Sequence, residues 1–241
     1  MVGVILLRSR SLKIKNYIVA AVGEWNKDLF TERSEKLPGN WFFSDTPEKL
    51  KDLLSFDCIP NYIFFIHWRW IVPKTITDKY ECVCFHMTDV PFGRGGSPLQ
   101  NLIVRGYCDT VLTALKMDDG IDSGPVYLKA PLSLEGAAEE IYRRAANLSW
   151  EMMLQIIRKK HKPKLQSGPI TEFRRRRAAD SEIPKSLNID QIYDYIRMLD
   201  AEGYPKAFLN VDDYRLLFEN AELSNGKLTA TVTIELSEEL L

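Results

Sequence analysis

Residues 87–98 read Met-Thr-Asp-Val-Pro-Phe-Gly-Arg-Gly-Gly-Ser-Pro, and three glycines with two prolines in so short a stretch cannot continue as helix or strand. The residues ahead of them, Glu81–His86 (Glu-Cys-Val-Cys-Phe-His), form an apolar run that reads as a buried strand. Behind them Ser97-Pro98 opens a helix in which Leu99, Leu102 and Ile103 share a face. A strand that hands a histidine to a stiff loop ahead of a helix is a unit of an open α/β sheet, where reactive groups gather at the carboxyl ends of strands.

The rest of the chain repeats the alternation. Val2–Leu7 reads as a buried parallel strand feeding a helix over about Leu12–Val22. Trp41–Ser44, Tyr62–Ile66, Thr110–Lys116 and Val126–Leu128 read as further strands, and Ser44-Asp45-Thr46-Pro47-Glu48 caps a helix running to Leu54. Glu135–Arg158 carries the longest helical period, with Ile141, Ala145, Leu148, Met152 and Ile156 on one stripe. This predicts a largely parallel, doubly wound sheet to about Lys160. Beyond a Pro/Gly/Lys connection at 162–168 come the basic run Phe173–Arg177, an amphipathic helix Ile189–Leu199, and an alternating Ala207–Leu236 with a hairpin turn at Asn225-Gly226. The chain therefore divides into an α/β core over residues 1–165 and a small helix-and-hairpin extension over 166–241.

Thirty-two basic residues against 33 acidic ones leave a net charge of -1, so a polyanion would have to be met by a local patch. The four cysteines (Cys58, Cys82, Cys84, Cys108) read as reduced, and with no second Cys/His pair at zinc spacing no metal is expected. The apolar start meets Arg8 and Arg10 at once, and no run approaches the ~20 apolar residues of a membrane span, which points to a cytoplasmic protein away from membranes.

His86 is the first candidate for chemistry. A second loop, Asp118-Asp119-Gly120-Ile121-Asp122-Ser123-Gly124-Pro125, follows the strand Thr110–Lys116, and His and Asp on neighbouring strand-end loops suit a base and its orienting carboxylate. His67, between Ile66 and Trp68, reads as a packed residue, and His161, among lysines, as a solvated one.

The pattern His86-x-Thr88-x-x-Pro91-x-x-Arg94-Gly95-x-x-Pro98 resembles the signature loop of the formyltransferases, and Ile121-Asp122-Ser123-Gly124-Pro125 resembles their second motif. The resemblance implies a Rossmann-like core with a mostly parallel sheet, N10-formyltetrahydrofolate as formyl donor, and no metal. It implies that His86 relays the proton lost by an attacking amine while Asp122 fixes its tautomer. It places the folate against Trp70, Ile71 and Val72 and against Asp118, Gly120 and Ile121, with Thr88, Arg94 and Gly95 toward the substrate. One position departs from the family: its asparagine two residues before the histidine is here Cys84, a poor donor for a developing oxyanion, so either Asn101 or Gln100 on the following helix compensates or the rate is reduced.

Three amine classes share this core: the initiator methionyl-tRNA, small amines such as hydroxyornithine, and nucleotide-linked amino sugars. The extension looks too short and, near its end, too acidic (Glu219, Glu222, Glu235, Glu238, Glu239) for tRNA. Arg175 and Arg176 suit a diphosphate, because guanidinium groups bridge its oxygens. The expectation is thus an amino-sugar N-formyltransferase of lipopolysaccharide or O-antigen biosynthesis that binds no nucleic acid and forms a homodimer, with Leu228–Leu236 either pairing across its two-fold axis or closing a hairpin on its own chain. Methionyl-tRNA, a small amine, or non-catalytic folate or nucleotide binding stand as the alternatives.

Overall fold

In the computed structural model, residues 14–55 and 59–237 are described. Tyr62–Ile66 forms β3, and its neighbour Asn16–Ala21 forms β1; Ile63–Ile66 and Tyr17–Ala21 are buried without a break. Strands covered on both faces need no polar alternation, which is why these read as continuous apolar runs. The two faces part by parity. Val19 and Phe64 pack with the helix α5 (Ala138–Lys159), while Ile18, Ala20, Ile63 and Phe65 pack with Leu50 of α2 (Pro47–Ser55). Each valine, leucine, isoleucine or phenylalanine among them contributes roughly 1.5–3 kcal/mol on burial.

The sheet order is β2-β1-β3-β4-β6-β7, where β2 is Asn40–Ser44, β4 Cys82–His86, β6 Asp109–Lys116 and β7 Val126–Ser133. Between these strands lie α3 (Lys74–Thr77), β5 (Arg94–Gly95) and α4 (Pro98–Ile103). The first four sheet strands are mutually parallel, as expected, while β6 runs antiparallel to β4 and β7 antiparallel to β6. The departure arises because the connection from β4 to β6 starts and ends at one end of the sheet: His86 pairs with Thr113, and the Thr110 hydroxyl donates to the Met87 carbonyl at 3.2 Å. β7 extends past the expected Leu128 because Pro131, on an edge strand, owes no ladder donor.

The helix expected over Leu12–Val22 is corrected to β1; its helical spacing was the chance periodicity of a fully buried strand. The helix here is α1 (Glu24–Ser34), entered through Gly23 at φ +92°, and only Trp25 and Asn26 of it are buried. The expected strand Val2–Leu7, the helix start at Leu12 and Cys58 lie outside the described residues.

Past α5, the two-residue strand β8 (Glu172–Phe173) pairs in parallel with β5. Helix α6 (Ile189–Arg197) begins at Asn188, whose side chain accepts from the Gln191 N–H while the Gln191 side chain accepts from the Asn188 N–H. An antiparallel sheet of β9 (Ala207–Val211), β10 (Tyr214–Ser224) and β11 (Lys227–Leu236) closes the chain, with Asn225 and Gly226 both at positive φ in the expected turn and β11 on an edge. Among the described residues, no helix is long and apolar enough to cross a membrane.

Candidate functional site

β4 delivers the His86 imidazole, buried, to the start of the 87–98 loop. The loop's own backbone then sets the ring: Nε2 donates to the Gly93 carbonyl at 2.7 Å, and the buried Thr88 hydroxyl donates to the same oxygen at 3.2 Å. A carbonyl can only accept, so Nε2 carries a hydrogen and Nδ1 is left as the nitrogen that can take a proton. Nδ1 faces Asp122 Oδ2 at 3.4 Å, an electrostatic pair slightly too long for a hydrogen bond. The Gly95 N–H donates to that same Oδ2 at 3.0 Å.

Asp122 does not arrive from a neighbouring strand end. Because β6 is antiparallel, its last residue Lys116 pairs with Val83, away from His86, and residues 117–125 must fold back toward it. Two features close the fold: Asp122 sits at φ +51°, and a Cβ on Gly124 would lie 1.8 Å from the Lys116 carbonyl oxygen, so only glycine fits. Within the loop Asp118 Oδ1 accepts from the Gly120 N–H and the Ser123 hydroxyl at 3.1 and 2.6 Å.

Cys84 lies two residues before His86 on the same strand face, half-buried. Burial, and next the charge of Asp122, push its thiol well above the usual range, so it stays neutral and a weak donor. The expectation that Asn101 or Gln100 compensates is corrected by their partners. Asn101 Nδ2 is spent on the carbonyls of Gly96, Ser97 and Arg174 at 3.1, 3.0 and 3.0 Å, and Gln100 Nε2 on the Tyr142 hydroxyl and Met198 carbonyl, both at 3.0 Å. These amides brace α4 rather than facing a substrate.

Arg94 is likewise occupied, donating from Nε and Nη2 to Gln166 Oε1 at 3.1 and 2.8 Å. Arg176 is half-buried and donates to the Tyr195 hydroxyl at 2.6 Å and to the Asp180 carbonyl, clamping the 3-10 turn Ala178–Ser181 onto α6 instead of facing a diphosphate. Arg175 is exposed, its Nη1 donating to the Arg69 carbonyl at 3.4 Å.

The residues expected to hold folate stand on two loops joined by the Lys74–Asp119 ion pair at 2.6 Å. Trp70, Ile71 and Ile121 are exposed apolar side chains and Val72 is half-buried. A cavity of about 470 Å³ is lined by Thr77, Asp78, Lys116, Met117, Asp118 and Gly120, so of the residues expected to hold folate it takes in Asp118 and Gly120 but not Trp70, Ile71, Val72 or Ile121. Among the described residues, no cluster of three His, Cys, Asp or Glu could hold a metal ion.

His67 is more constrained than a packing residue need be. It sits at φ +52°, its Nδ1 lies 3.3 Å from Asn26 Nδ2, and burial followed by the Arg69 charge pushes its imidazole down to about 4. The unfolded chain takes up at about pH 6.5 the proton that the folded chain refuses, so this contribution is whole above pH 6.5 and is lost as pH falls toward 4. The urea midpoint is expected to drop across that window, and to drop less in His67→Asn, which tolerates positive φ; equal slopes in the two proteins would assign the loss to other groups.

Sequence reasoning passed over Gln166 and Gly124. The first sits in a stretch read as a mere connection, and the second was quoted only as part of a motif.

A mostly parallel sheet that presents a histidine at the end of β4 and an aspartate from a loop folded back beside it, followed in the chain by a three-stranded antiparallel module, defines the class of Rossmann-like formyltransferases. Residues 178–235 match the family model "Methionyl-tRNA formyltransferase, C-terminal domain". The solved structure of methionyl-tRNA formyltransferase from Clostridium thermocellum is 43% identical, with TM-score 0.87, covering 93% of this chain and 100% of that one. Methionyl-tRNA formyltransferase of Thermodesulfovibrio yellowstonii is 27% identical over 209 residues, 81% of this chain and 67% of that protein, whereas that of Rickettsia typhi is 36% identical over 101 residues, only 33% of its length. The chain belongs to the methionyl-tRNA formyltransferase family.

The membership agrees with the enzyme class expected from the loop signature, folate-dependent formyl transfer. It overturns the expected nucleotide-linked amino sugar, the exclusion of nucleic acid and the place in lipopolysaccharide or O-antigen synthesis. A sugar N-formyltransferase from Shewanella is only 14% identical and shares the fold alone. The Clostridium protein is matched along its whole length, so the shortness of the extension does not set this chain apart from it.

Proposed function

We propose that this chain transfers the formyl group of N10-formyltetrahydrofolate to the α-amine of methionyl-tRNA. The observation that carries the chemistry is the His86–Asp122 pair, with Nε2–H anchored on Gly93 and Nδ1 open beside the carboxylate. The donor, when bound, supplies the formyl carbon. As the amine nitrogen bonds to that carbon it must shed a proton, which His86 Nδ1 receives; the resulting imidazolium is stabilised by Asp122 and returns the proton to N10 as the carbon–N10 bond breaks. The backbone N–H of Gly95 keeps Asp122 aimed.

Support for a nucleic-acid acceptor comes from charge. Residues 158–177 hold nine lysines and arginines against one acid, Glu172, in a chain of net charge -1. Arg158, Lys159, Lys160, Lys162 and Lys164 are exposed, and none has an ion pair among the described residues. Between the two basic clusters in the sequence lies Gln166, hydrogen-bonded to the Asp122 carbonyl, so the chain ties the exposed lysines just ahead of it to the site.

The test is formylation in vitro with N10-formyltetrahydrofolate and, in parallel, methionyl-tRNA, free methionine and hydroxyornithine. Formyl-methionyl-tRNA should form at least a hundredfold faster than either free amine is formylated, as expected when remote contacts contribute to the transition state. Turnover of a free amine alone would overturn the reading.

A further inference from the structure

We infer that Gln166 is a positioning residue of this site, holding Asp122 at its distance from His86 by cross-linking the two loops that carry them. The inference rests on the reading of His86 and Asp122 as a working pair.

The Gln166 side chain uses its whole hydrogen-bonding capacity. Nε2 donates to the carbonyls of Asp122 and Gly124, both at 2.8 Å, and Oε1 accepts twice from Arg94, at 3.1 and 2.8 Å. One amide thus binds the loop of His86 through Arg94 and the folded-back loop of Asp122 through the backbone on either side of Ser123. Its own segment is pinned at both ends: the Lys164 N–H donates to the Val126 carbonyl at 2.8 Å, and the Thr171 N–H to the Pro91 carbonyl at 3.2 Å. Leu165 beside it is exposed, so the glutamine is not held there by apolar packing of its neighbour.

The link matters because the sheet does not place Asp122. β6 ends by Val83, and the backbone of Asp122 is in a left-handed conformation that is easily lost once its carbonyl is freed. Glutamine is the side chain the position needs. Glutamate could still accept from Arg94, yet it would turn acceptors toward two carbonyl oxygens and push the Asp122 loop away.

Gln166→Glu and Gln166→Ala are expected to lower kcat about 10- to 100-fold, the cost of a displacement near 1 Å, with KM for formyl donor and for methionyl-tRNA within about twofold of the parent. Gln166→Ala added to Asp122→Asn should cost less than threefold more, because both changes remove one function, and the acid limb of the kcat profile should move as it does in Asp122→Asn. Melting temperature and far-UV dichroism report folding in every variant. If Gln166→Glu folds and keeps kcat while Asp122→Asn loses it, or if the double variant loses the product of the single effects, the positioning role fails and the His86–Asp122 reading survives. If Asp122→Asn itself keeps full activity, the reading beneath it fails.

Discussion

Replacing His86 by alanine lowers formyl transfer by about 10²–10⁴-fold with little change in melting temperature. The size follows from its task. His86 Nδ1 is the proton acceptor the geometry leaves open, and without it the amine proton must pass to water as the carbon–nitrogen bond forms. Asp122→Asn should fall in the same range while preserving shape. The asparagine can still accept from the Gly95 N–H, so the loop stays closed, and the loss then measures the charge that steadies the protonated ring. His86→Ala retaining more than about a tenth of the parent rate would remove this pair from the chemistry.

Neutralising Lys159, Lys162 and Lys164 as glutamines should raise KM for methionyl-tRNA by on the order of 10- to 100-fold, with kcat and KM for the formyl donor unchanged. Glutamine keeps the helix end of α5, and Lys160 is left alone because it forms the left-handed cap at φ +49°. The dependence of KM on salt should flatten by about one logarithmic slope per lysine removed. An unchanged KM and slope would mean that the acceptor approaches from another side.

The loop 87–98 was legible because its chemistry is local: histidine, glycines and prolines are needed for their own backbone and side-chain properties. The strands β3, β4 and β6 were legible as apolar runs, α6 as an amphipathic period, and the Asn225-Gly226 turn as turn chemistry. What escaped depends on pairing direction. Nothing in Thr110–Lys116 says which way it lies against β4, so the travel of Asp122 back to His86 could not be read from spacing. Asn101 looked like a spare donor because its three carbonyl partners are set by tertiary folding. α1 hid because its burial is concentrated in Trp25 and Asn26 at its start instead of along a stripe. The acceptor was misjudged on length, a property that constrains size and leaves partner open.

The passage of β8 alongside β5 bears on how such a chain can be cut and joined. Residues 164–176 run along the core, pairing at Lys164, Thr171 and Phe173 and receiving hydrogen bonds from Asn101 at Arg174, and the Ser97 hydroxyl accepts from the Arg176 N–H. A seam placed at the composition change near residue 165 would leave the front half without one wall of its own site. A fragment or chimera built from this core must carry the chain through Arg177 to inherit a complete loop cluster, which makes the joint part of the heritable catalytic unit and leaves only the module behind it exchangeable.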